Sequence, residues 1–78
     1  MTYSERLRAL RERTGLSQRA FGMILVGEGA ITQTATYNRY ELGIFEPERE
    51  REAQIIRALA ERLNVSYNDV LLELRGEA

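Results

Sequence analysis

Seventy-eight residues are room for one domain with a thin core, since a chain this short hides only about 60–65% of its unfolded surface. Cysteine and histidine are both missing, which excludes disulfide staples, thiolate or imidazole metal sites, and the nucleophile–base pairs built on those side chains. Hydrophobic residues at 44%, charged residues at 29% and a net charge of −1 describe an ordinary globular balance, and no apolar run approaches the roughly 20 residues that a bilayer crossing needs.

The pattern predicts a first helix from about Tyr3 to Thr14. Thr2 and Glu5 have the spacing of a capping box, Tyr3, Leu7, Leu10 and Thr14 share a face, and Gly15 is a left-handed stop. A second helix follows Ser17, a good N-cap, and turns Phe21, Ile24 and Leu25 inward. Two glycines in Val26-Gly27-Glu28-Gly29-Ala30 argue for a loop, after which Ile31 re-enters the core. Thr32 or Gln33 caps a third helix that runs to Leu42, with Tyr37 and Tyr40 inward and Gly43 just past its end.

Pro47 suits the first turn of a fourth helix, and Glu48, Glu50 and Glu52 complement the positive end of its dipole. Its buried stripe is Ala53, Ile56, Leu59, Ala60 and Leu63, and Asn64 ends it. Ser66 and Asp69 repeat the capping-box spacing before a short fifth helix carrying Val70, Leu71 and Leu74, and a frayed tail is expected over 75–78. The expected fold class is all-α, with five helices in one domain over 1–78.

Charge is unevenly spread. Residues 1–40 hold six arginines against Glu5, Glu12 and Glu28, a local +3; residues 41–78 hold five arginines against nine acids, a local −4. That is the asymmetry expected where one face meets phosphate and the other does not. All 11 basic residues are arginine, a choice suited to bidentate contacts with phosphates and bases, although genomic base composition produces the same bias.

Several segments in order carry a resemblance: Arg6-Leu7-Arg8-Ala9-Leu10-Arg11, Gly15-Leu16-Ser17-Gln18, Asn38-Arg39-Tyr40-Glu41-Leu42-Gly43, Pro47, and Leu59 through Ser66. Together they resemble the phage repressor/Cro-type (XRE-like) helix-turn-helix family over nearly the whole chain. The resemblance implies a five-helix repressor-like DNA-binding domain, with its helix-turn-helix over 17–42. It also implies a transcriptional regulator, and a repressor by preference, that meets double-stranded DNA as a homodimer. A reading helix needs one buried face and one rich in amides and hydroxyls, because the major-groove code is read by such groups and by arginine. Gln33 to Arg39 offers that composition.

By the same resemblance, Gln18 opens the second helix and anchors a phosphate, with Arg19 beside it. Gln33, Thr34, Ala35 and Thr36 begin the reading helix, where base contacts concentrate, and Asn38 and Arg39 form its next turn. Ala35 has only a thymine methyl to meet, and Arg39 has a guanine edge or a phosphate. Arg11 and Glu41 match a partly buried salt bridge between the first and third helices, an architectural role outside the DNA contacts. Gly22 matches a small residue at the contact of the two motif helices.

The chain departs from that family in three places. The turn between the motif helices, through 26–30, is enlarged and carries Glu28. The loop Gly43-Ile44-Phe45-Glu46 lacks basic residues, and the segment from Pro47 to Asn64 is longer than usual. An antitoxin-like or other protein-interaction module on the same fold is the alternative, served by the longer turn, the acidic back half and Phe45. Ile44 and Phe45 are equally suited to lying exposed or beneath the fourth helix. The expected dimer surface comes from the fourth and fifth helices and includes Tyr67, Leu72 and Leu74. Neither catalysis, metal nor cofactor is expected, the amino terminus shows no signal-peptide pattern, and the cytoplasm is the expected compartment.

Overall fold

The computed structural model describes residues 1–77. The chain forms five helices, α1 (Tyr3–Arg13), α2 (Gln18–Gly27), α3 (Thr34–Leu42), α4 (Arg49–Leu63) and α5 (Tyr67–Leu74), with no strand among the described residues. Local chemistry accounts for most boundaries. At α1 the capping box closes both ways: Thr2 Oγ1 accepts from Glu5 N at 3.3 Å, and Glu5 Oε1 accepts from Thr2 N at 2.8 Å. Ser17 Oγ accepts from Ala20 N at 3.0 Å to start α2. Ser66 Oγ accepts from Asp69 N at 3.1 Å to start α5, one arm of the expected box; Asp69 is a methylene shorter than the Glu5 that closes the box at α1.

α2 runs further than its glycines suggest. Val26 and Gly27 are helical, and the turn comes at Gly29, whose φ of +76° is left-handed. Gly29 N donates to Val26 O at 3.1 Å and Ala30 N to Leu25 O at 2.9 Å, the paired bonds of a Schellman ending. This ending delivers Ala30 and Ile31 into the core. The expected loop over 26–30 is therefore corrected: its first half is helix, and the connection to α3 is 28–33.

Gln33 and not Thr32 caps α3. Gln33 is extended, and Thr36 N donates to its carbonyl at 3.1 Å, so the Thr32 hydroxyl lies one residue too early to meet the first-turn amides. Pro47 likewise falls outside the first turn of α4, where it was expected. Glu48 is the extended cap, and the proline precedes it, still at a position that demands no backbone donor.

α4 is packed against α1, α2 and α5, and α1 against α3, α4 and α5. Ile56, Leu59 and Ala60 of its expected stripe are buried, but Ala53 and Leu63 are only half-buried, and Ile55 and Ala58 are buried as well. Neighbours on several sides widen the covered face beyond a single stripe. α1 contributes Leu7 and Leu10, α2 contributes Phe21 and Leu25, α3 contributes Tyr37 and Tyr40, and α5 contributes Val70 and Leu74. Ile24 is only half-buried. Leu74 has no exposed surface, which removes it from the expected dimer surface.

Through Glu77 the tail is hydrogen-bonded to the body of the domain. Glu77 N donates to Leu72 O at 2.8 Å, Arg75 Nη2 bonds Glu52 Oε1 at 3.1 Å, and Arg6 Nε donates to Leu74 O at 2.8 Å. Ala78, the last residue of the expected frayed segment, lies outside the described residues. A radius of gyration of 11.1 Å matches the roughly 11.5 Å expected of a single domain this long.

Candidate nucleic-acid interface

α2 and α3 make the most extensive contact of any helix pair, and Gly22 lies at that contact. A methyl group at that position would sit 3.4 Å from Cβ and Cγ2 of Thr34. Tyr37 and Tyr40 anchor α3 from beneath, in an edge-to-face series in which Phe21 and Tyr37 lie 5.1 Å apart and Tyr37 and Tyr40 6.5 Å apart. With that face committed to the core, the 3.6-residue period turns Ala35, Asn38, Arg39 and Leu42 outward.

A groove between the two helices is lined by Gln18, Arg19, Met23, Thr34 and Asn38. Four residues expected from sequence as DNA contacts thus share one depression. Arg39 is exposed and Ala35 and Thr36 half-buried on α3, while Gln33 is exposed at the cap and makes no side-chain cap bond. Met23, 56% exposed, was not anticipated as part of this surface. The signal was present, because Met23 follows Arg19 by four residues and so shares its helical face.

Electrostatics bear on the same face. Arg8, Arg11, Arg13, Arg51, Arg62 and Arg75 each have a carboxylate within 4.0 Å, and Arg6 is spent on the carbonyls of Met1 and Leu74. Arg19 and Arg39 on this face, like Arg49 and Arg57 on α4, are exposed and have no such partner among the described residues. The first turns of α1, α4 and α5 carry acids, whereas those of α2 and α3 carry none. The α2–α3 face is therefore open to anions in a chain whose net charge is −1.

Beneath this face lies the Arg11–Glu41 pair. Arg11 donates from Nε to Glu41 Oε2 at 2.7 Å, from Nη2 to Glu41 Oε1 at 3.1 Å, and from Nη1 to Leu16 O at 2.9 Å. The Arg11 side chain is 11% exposed and that of Glu41 is 2% exposed. Gln18 Nε2 adds a fourth bond, to Glu41 Oε1 at 3.1 Å. Burial alone would raise the carboxyl pKa, but the Arg11 bonds, the neighbouring Tyr37 hydroxyl and Gln18 outweigh it and hold Glu41 below the usual carboxylate range. The Tyr37 hydroxyl is buried with no partner at hydrogen-bonding distance; burial and the adjacent Glu41 charge drive its pKa far upward.

The chain leaving α3 is apolar and uncovered. Leu42 is 70%, Ile44 63% and Phe45 44% exposed. Phe45 sets an edge-to-face contact on Tyr40 at 5.4 Å, so it is neither free of the core nor buried in it. No family model, curated protein or solved structure matches this chain.

Proposed function

We propose that this protein binds double-stranded DNA and selects its sequence through the major groove, as a transcriptional regulator of the phage repressor/Cro-like type. α3 is the reading helix and α2 the helix that crosses the backbone. The observation that carries this reading is the coincidence, on one face, of a hydroxyl- and amide-bearing groove with the unpaired Arg19 and Arg39. Thr34, Ala35, Thr36, Asn38 and Arg39 address base edges and the nearest phosphates, and Gln18, Arg19 and Gln33 lie at the flanks. A lone domain covers too few base pairs for tight selection, so a two-fold pair of chains on a two-fold site belongs to the proposal, as does a cytoplasmic location. The role is one of binding, with no catalytic step assigned. Selection of bound sequences from a random duplex pool tests it. A palindromic or repeated consensus is the expected result, and no enrichment over the input pool at low salt overturns the reading.

A second reading has its own support. Leu42, Ile44 and Phe45 form an exposed apolar run followed by Glu46 and Glu48, a composition suited to a protein partner and poorly suited to phosphate. An antitoxin-like module would use this run to hold its partner, with or without DNA. Replacing Ile44 and Phe45 by serine separates the two readings: DNA binding is expected to persist, and loss of DNA binding from a folded variant would count against the first.

A further inference from the structure

Glu41 joins three helices through one carboxylate. Two of its bonds come from Arg11 on α1 and satisfy the guanidinium in a bidentate pair. The third comes from Gln18, the first residue of α2, which is half-exposed and lines the groove with Arg19, Met23, Thr34 and Asn38. A salt bridge that served only to join α1 to α3 would have no need of this member.

We infer that Glu41, itself fixed by Arg11, is a positioning residue for DNA binding: it holds the Gln18 carboxamide in one orientation, with the second N–H directed to an acceptor on the duplex. The inference rests on the reading of the α2–α3 face as the DNA interface. Its chemistry is directional. An ionised carboxylate only accepts, so the amide nitrogen of Gln18 must face Glu41, and the flipped carboxamide would set oxygen against oxygen. Glutamine is also rotamer-rich, and ordering it at the moment of binding weakens association. Here the bond to Glu41 is already made in the free protein. The charged and titratable groups around the carboxylate are Arg11 from α1 and Tyr37 from α3, and neither takes the place of Gln18 at the groove.

Two measurements test this. In the free wild-type protein, side-chain amide relaxation is expected to give Gln18 a markedly higher order parameter than exposed Gln33. Equal mobility for the two overturns the positioning. On the duplex recovered by selection, Gln18→Ala and Glu41→Gln are each expected to weaken binding about tenfold. The double variant should lose no more than either single one, since both remove the same contact. Glu41→Asp, which keeps the charge beside Arg11 but shortens the reach to Gln18, takes the place of Glu41→Gln where that variant fails to fold. Additive losses in a protein that binds DNA overturn the coupling alone. A wild type that binds no duplex at low salt overturns the DNA reading, and the functional half of this inference with it.

Discussion

Glu41 is the residue on which the most depends, because its charge is buried and answered by another buried charge. Removing either partner leaves the other without compensation. Glu41→Ala is expected to cost about 3–5 kcal/mol, a large share of the roughly 5–15 kcal/mol that holds a small domain together. Urea unfolding of the variant checks this, and a loss below 1 kcal/mol would contradict the buried geometry. The same residue sets an acid limit. Its pKa is lowered in the folded protein and lies at about 4.3 in the unfolded chain. The contribution is thus fully present above the unfolded value and is lost as pH falls through the folded one, because the unfolded chain takes up the proton first. Chemical denaturation between pH 7 and pH 2 should show stability falling below about pH 4, with the Glu41→Gln variant less steep over that window.

At the scale of the helix, Gly22 tests how closely α2 and α3 are fitted. A methyl group there makes ordinary contact with Thr34 at 3.4 Å, and alanine in a helix interior is favoured over glycine by roughly 0.5–1 kcal/mol. Gly22→Ala should therefore raise the melting temperature. Gly22→Leu, which must push the helices apart, is expected to cost about 1–3 kcal/mol and to misplace the groove. Thermal melts of the two variants decide the matter by their opposite signs.

Where a helix ends by local chemistry, the sequence is a sufficient guide: Thr2–Glu5, Ser17, Gly43, Asn64 and Ser66 all mark boundaries by side-chain or backbone preferences that act within a few residues. Where the outcome depends on what packs above, it is not. Ile55 and Ala58 are off the expected stripe of α4 and yet buried, because α1, α2 and α5 cover that helix from several sides. Gly27 reads as loop and is helical, since the turn is taken at Gly29, where Ala30 can reach the core. Leu74 reads as surface and is core. Of the candidate interface, the polar positions of α3 follow from the 3.6-residue period once Tyr37 and Tyr40 are inward. That Gln18 bonds Glu41 does not, because the two are brought together only by the crossing of α2 and α3.

Across the whole molecule the governing fact is the sorting of charge. Six arginines are neutralised by nearby carboxylates, and the acids lie mainly in the back half of the chain. A protein with a net charge of −1 has no general attraction to a polyanion, so the proposed interface has to act through the local field of α2 and α3. Binding of duplex by such a face releases counterions, so log affinity should fall with log salt at about −0.9 per phosphate neutralised. Arg19→Ala and Arg39→Ala are each expected to make the slope shallower by close to one such unit where the arginine meets a phosphate. An arginine on a base edge instead costs about 1–3 kcal/mol and relaxes selection at that position. Arg57→Ala is the control. Arg57 is exposed on α4 and, like Arg19 and Arg39, has no carboxylate within 4.0 Å among the described residues, so a general charge effect would move its slope equally. Fluorescence anisotropy of a labelled duplex over a salt series reads all three. An unchanged slope for Arg57→Ala beside altered binding for the other two would assign the field to the α2–α3 face; equal changes in all three would show attraction by net charge alone and remove the basis for a reading helix.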